Sequence, residues 1–448
     1  MRVTLLSLMP LFTAASIISK NDRVDSRYIV VKDDTTLEKQ NEEPDICNKD
    51  KIIINSLSDW EKIQTSCKIV KGALEFGERY DETELDLAPI QKVEEDLTIM
   101  NCKKLRVLKS STLEEIGGKL SIVNITSLAS VEFPSLNSID KVEIKVLPVL
   151  SKMELGSNLA GISQYTVSDT AISNMDQLRN LKDIEFIDIN NNRFLDQVNF
   201  DKIRKISHNC RLHGNAKSME LSFPELEKVG NMSVRGVSTV NLPKLKAVDS
   251  SLEFHENTFK TLEVLKLQSI EGSLGIVDNS NLRKLNFSQV ANINGGLIIS
   301  NNTELTKLQD FPNLKSVGGG LRFEGCFNDT YFPSLKVVRG SALINSTSED
   351  FDCEKWISGK TNKKSIIRGG SVVCKSNKGQ KTAKVDNDGK MTEKKEISTN
   401  KTDDIDRTRK WEESTKETNN SQISGAHSRT FAIGTVVALF GLSLFMSL

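Results

Sequence analysis

The chain has 448 residues, in which 60 Lys and Arg balance 60 Asp and Glu, with 38% hydrophobic and only 6% aromatic residues. Balanced charge argues against nucleic acid as a partner. Few aromatics and nine prolines suit a regular aliphatic core better than a Ser/Pro mucin stalk.

The chain opens MRVTLLSLMPLFTAASIIS, one Arg before an apolar run and then small residues. That pattern predicts a secretory signal peptide over residues 1–19, cut near Ala15 to Ser19. From Phe431 to Leu448 the tail is uncharged, without the Lys or Arg that follows a stop-transfer helix. A polar spacer precedes it, SQISGAHSRT, with Asn419 and Asn420 before that. Small residue, spacer and apolar tail is the layout of a GPI-attachment signal. Asn420 has the best spacing for the attached residue, with Asn419 and Ser424 as rivals, so 421–448 is the expected propeptide. The competing reading of this tail is a single membrane span. Sequons at Asn124, Asn231, Asn286, Asn301, Asn328, Asn345, Asn400 and Asn419 agree with secretion. The last loses its Ser if Asn419 or Asn420 carries the lipid.

Cys47 to Cys67 reads CNKDKIIINSLSDWEKIQTSC, a short Ile strand and then Ser58-Asp59-Trp60-Glu61 as a capping box opening one short helix. The two cysteines bracket this unit and are expected to pair in an oxidising compartment. A repeat then begins. Val70, Val93, Ile116, Ile139, Ile162, Ile184, Ile206, Val229, Val248, Ile270, Ile293, Val317 and Val338 recur at about 22–23 residues. Three or four residues after each, an apolar-x-apolar strand begins, such as Leu97/Ile99, Leu274/Ile276 or Leu297/Ile299. Several markers are preceded by Φ-Pro-x-Leu, at Phe133, Phe223, Leu242, Phe311 and Phe332. Proline cannot donate to a ladder, so that segment is a corner or an edge.

Coils of this length bury an apolar face only by stacking. The expected fold is all-β: a right-handed parallel β-helix of about 13 rungs, leucine-rich-repeat-like, over residues 45–375 between short capping helices. At roughly 4.8 Å per rung it makes a rod of the order of 60 Å. After the strands stand Asn101, Asn124, Asp169, Asn191, Gly214, Gly236, Asp278, Asn301 or Gly325, residues that tolerate a left-handed turn. Cys353 and Cys374 bracket a closing cap. Cys102, Cys210 and Cys326 lie too many rungs apart to bond and are expected unpaired and buried. Residues 376–420, rich in Lys, Glu, Asp, Asn and Thr, read as a charged disordered stalk.

CKIVKGALEF at Cys67 and VGGGLRFEGC at Val317 resemble the receptor L domain of insulin- and growth-factor-type receptors. With the signal peptide, the Phe-Pro-x-Leu corners, the sequons and the GPI signal, the whole chain resembles the fungal GPI-anchored cell-wall organisation proteins and their sporulation-specific relatives. The likeness covers Cys47 to Cys374 and both processing signals. It implies a surface protein of the secretory pathway, fixed to the plasma membrane or the wall, that serves wall or spore-wall assembly without enzymatic activity or cofactor. Its stalk is Lys/Glu-rich where many relatives are Ser/Thr-rich.

Parallel β-helices also cleave polysaccharides, which calls for two carboxylates across a cleft or a stack of Asp on one face. The outward residues show neither, nor any metal-ligand spacing or Ser/His/Asp set. One patch stands out. Consecutive rungs place Arg211, His213, Arg235, Glu253 and His255 on the outer face, with His213, Arg235 and His255 in one column. Two of the four His of the chain stand there. The functional reading is a sugar- or anion-binding surface; the bland one is a solvated face whose charges pair across rungs. The leading expectation is thus a non-enzymatic wall protein, and the alternative a module that recognises wall polysaccharide or a wall protein through the exposed sheet.

Overall fold

The computed structural model describes residues 45–159, 161–175, 178–357 and 364–398. The leader, the anchor signal, Asn400, Asn419, Asn420 and Ser424 lie outside these residues. Every coil begins at its marker, whose apolar side chain points inward: Val70, Ile116, Ile206, Val248, Ile293 and Val338 are fully buried. The following strand pairs in parallel with its equivalents one coil earlier and later. Leu97 aligns with Leu120, Leu252 with Leu274, Leu274 with Leu297 and Leu297 with Leu321. Propagated through about 13 turns, this yields one sheet of 24 strands around a continuous aliphatic core. Cys210 sits in that inner column, between Ile187 and Met232.

After the strand the chain turns through a left-handed residue. Asn101, Asn124, Asp169, Asn191, Asp278 and Asn301 have φ between 55° and 58°, and Gly214 and Gly236 also have positive φ. Gly325 does not take this conformation, whereas Val146 and Glu256 do, at φ 58° and 52°. The chain then crosses to a second, interrupted face of short parallel strands such as Val107–Lys109 with Ser130–Phe133 and Gln197–Asn199 with Glu220–Ser222. Phe-Pro forms the corner behind it. Phenylalanines at this corner, before proline at Phe223, Phe311 and Phe332 but not at Phe200 and Phe287, stack from rung to rung: Phe200 on Phe223 at 4.5 Å, Phe287 on Phe311 at 5.2 Å, Phe311 on Phe332 at 6.0 Å.

Both ends are closed. The helix α1 (Leu57–Ser66) packs Trp60 edge-on to Phe76 at 5.2 Å, and Cys47–Cys67 ties its flanks. Its N-cap is Ser56 and not Ser58. The Ser56 hydroxyl accepts from the Asp59 N–H at 3.2 Å, the bond of an N-cap to the third helical residue, and donates to the Asp59 carboxylate at 2.9 Å. At the other end α2 (Glu354–Ile357) seats Trp356 on Phe323 and Phe332, and its indole N–H donates to the Thr330 hydroxyl at 3.0 Å. Cys353–Cys374 is bonded.

Two further expectations need correction. Residues 376–398 are not disordered stalk. The strand Gly370–Ser376 adds in parallel to Ala342–Ser346. It then turns back into Gly379–Val385 and again into Met391–Ser398, both antiparallel. Composition hides this because the two added strands need few inward residues. Ala383 and Val385 are buried, while Lys381, Lys384 and Lys395 pair with Glu396 and Glu393. Those charges also blunt the outer edge. The turn signals are local: Asn377-Lys378 before Gly379, and Gly389 at φ +82°. Cys326 is the second correction. Cys102 and Cys210 are buried but Cys326 is partly exposed; it follows Gly325, where the left-handed corner is absent.

Candidate functional site

The outer-face patch is positioned by register. The series Asp188–Arg211–Ser233–Glu253 forms one column, and Asn190–His213–Arg235–His255 the next. Adjacency does not leave the cations free. Arg211 Nη1 donates to Asp188 at 3.2 Å, and Asp188 also accepts from the Asn190 amide at 2.8 Å. Arg235 turns out of its column to the left-handed corner of the next rung, where Nε and Nη2 grip Glu256 at 2.6–3.0 Å. Glu253 and His255 pair at 3.4 Å. The structure thus brings all five sequence-selected residues onto one surface, each base facing an acid or a hydroxyl.

His213 shares a hydrogen bond with the Ser233 hydroxyl at 3.0 Å. Burial pushes its pKa down, and the positive charge of Arg211 adds to this, both favouring the neutral ring. Asp188, whose charge acts on His213, is already engaged by Arg211 and Asn190, so no carboxylate relay is assembled behind the pair. Glu253 lies below the usual carboxylate range, chiefly through His255. No group of three or more metal-ligating side chains occurs among the described residues.

The aromatic member of this surface was not selected from the sequence. Phe186 occupies an outward position aligned with Gln164 and Asn209, and it stacks on His208 at 4.7 Å with ring planes 11° apart. His208 reaches it because the strand Lys205–His213 carries an extra residue between Ile206 and Asn209 where its neighbour goes from Ile184 to Phe186. The signal was the local spacing, two residues in one rung and three in the next.

A second set was also missed. One residue after the corner, Asn192, Asn257, Asn279 and Asn302 are buried and bond across rungs, Asn257 to Asn279 at 2.9 Å and Asn279 to Asn302 at 3.0 Å. The doubled Asn-Asn, Asp-Asn and Glu-Asn pairs at 191–192, 301–302, 278–279 and 256–257 are its trace. Of the sequons, Asn124, Asn301 and Asn328 are exposed, and Asn231, Asn286 and Asn345 are half-buried.

Among known proteins, the chain is 40% identical over 80% of its length to Sporulation-specific protein 2 of Saccharomyces cerevisiae, covering 71% of that protein. The chain belongs to the fungal family of sporulation-specific and cell-surface GPI-anchored wall proteins. Sporulation-specific protein 22 of the same yeast is 39% identical over 78% of this chain and 75% of its own. A more distant member, Protein ecm33 of Aspergillus fumigatus, is 27% identical over 76% of this chain and 83% of its own. No family model and no solved structure matches the chain. The names of the family's members place them at the cell surface or in the wall, and this chain is a cell-surface protein of the same kind.

Proposed function

We propose that this chain is a non-enzymatic surface protein of spore-wall assembly, delivered by a leader over residues 1–19 and anchored through a GPI lipid at Asn420. The observation that carries the sporulation branch is graded similarity, 40% and 39% identity to the two sporulation-specific proteins against 27% to the Aspergillus wall protein. The non-enzymatic reading is supported by the outer face, where Asp188 and Glu256 are held by Arg211 and Arg235 and Glu253 by His255. A carboxylate tied to a base by an ion pair is a poor general acid.

Disruption of the gene in the source organism, followed by sporulation, tests this. Meiosis is expected to complete, with spores lacking normal outer wall layers by electron microscopy and losing resistance to solvent, while vegetative walls are unaffected. Normal spores together with a vegetative wall defect overturn the sporulation reading. Replacement of Asn420 tests the anchor: surface protein released by phospholipase in the native chain should not reach the surface in the variant.

A further inference from the structure

We infer that the outer face of strands Gln164–Thr170, Asp183–Asn190 and Lys205–His213, with Ser233 beside it, binds a neutral, hydroxyl-rich polysaccharide chain. This rests on the wall role proposed above and names the ligand of the patch. Three features select a neutral ligand over an anion. First, the arginines meet their own carboxylates, Arg211 with Asp188 and Arg235 with Glu256, so the face offers no net positive field to an acidic polymer.

Second, what remains is hydrogen-bonding capacity in planar side chains. The pairing with Asp188 engages Arg211 through Nη1, one of three nitrogens on a five-donor fork. Asn190, His213 and Ser233 add neutral donors and acceptors in adjoining columns. Sugar hydroxyls both donate and accept, and such mixed groups match them. Third, Phe186 is a half-buried aromatic on a face whose other outward positions are polar or small at that column: Lys141, Gln164, Asn209, Asn231. Aromatic side chains dominate interface energetics through the area and the π-face they offer. The stacked partner of Phe186, His208, extends it into a platform for the C–H face of a sugar ring. No sequon lies on these three strands, so they bear no attached N-glycan, and the adjoining one, Asn231, stands a rung beyond Asn209. Rungs about 4.8 Å apart present equivalent positions to successive units of a chain laid along them.

The test uses the full-length chain, with soluble β-1,3-glucan and soluble mannan as neutral probes and polygalacturonate as the acidic one. Saturable binding to a neutral polymer is expected, unchanged when salt is raised roughly tenfold, since no counterion-screened attraction contributes. Phe186→Ala should weaken it by at least about tenfold, as loss of a stacking platform worth ~1.4 kcal/mol does. Phe186→Leu keeps apolar volume without a ring and should weaken it comparably at an unchanged melting temperature. Thr98→Ala, on the same sheet but remote, should bind normally. Absence of saturable binding, preference for polygalacturonate, or normal binding by folded Phe186→Leu overturns the inference. Spore defects in the disruptant that Phe186→Ala protein fully repairs would remove the binding face and leave the wall role standing.

Discussion

Replacing Asn279 by Ala should be among the most damaging losses of a single polar group in the solenoid. Its amide nitrogen donates to the Phe254 carbonyl at 3.0 Å, the Val277 carbonyl at 3.1 Å and Asn302 Oδ1 at 3.0 Å. Its Oδ1 accepts from the Asn257 backbone N–H at 3.0 Å and the Asn257 side-chain amide at 2.9 Å. All three asparagines are at most 1% exposed, so water does not replace what is lost. Asn302 Oδ1 keeps the Asn279 backbone N–H at 2.9 Å, and the Asn257 amide keeps the Val234 carbonyl at 3.2 Å. The net orphans are therefore the Asn257 N–H and the side-chain bond to the Phe254 carbonyl. At about 1–3 kcal/mol for each buried unsatisfied group, the cost is about 2–6 kcal/mol. Asn190→Ala, which removes one donor from the half-buried outer face, should stay within about 0.5 kcal/mol. Urea denaturation of both variants, followed by far-ultraviolet circular dichroism, measures the difference. Equal midpoints for the two would refute the claim that the inner asparagine ladder, and not apolar burial alone, sustains the corner.

Three further outcomes follow from the same packing. Tyr165 is fully buried and its hydroxyl finds no hydrogen-bond partner among the described residues, so Tyr165→Phe should leave stability unchanged or raise it by up to about 1 kcal/mol; a clear loss would reveal a partner. Burial alone would raise the pKa of Glu143, but hydrogen bonds from Lys145 and Lys119 outweigh it and hold the carboxyl at about 2. Its folded pKa is depressed, so its contribution is complete above the unfolded value of 4.5 and is lost as pH falls toward 2. Melting curves of Glu143→Gln should therefore converge on those of the native chain in acid, and a constant offset at all pH would contradict the pairing. Truncation after residue 375 strips the two antiparallel strands from Val372 and Cys374, leaving an open apolar-backed edge. A fragment of residues 45–375 should aggregate or melt lower than one of residues 45–398, and identical melts would make the hairpin dispensable.

Much of this protein is legible in the sequence because the fold is a repeat. A rung that places Leu274 and Ile276 inward obliges Leu297 and Ile299 to do the same one period later, so marker spacing carries the register and the columns of the outer face, while the cysteine pairs mark the closed ends. The left-handed corners at Asn101, Asn124 and Asn301 are legible for a local reason, since few residue types accept that backbone. What only the tertiary structure decided concerns contacts between side chains some twenty residues apart. Arg235 chose Glu256 at a corner over the column it belongs to, and a single bulged residue carried His208 onto Phe186. Asn257, Asn279 and Asn302 became a buried ladder because three rungs each brought one amide to the same depth. The hairpin beyond Ser376 escaped composition because strands added to an existing sheet need only Ala383 and Val385 as inward anchors; the edge supplied by Gly370–Ser376 does the rest.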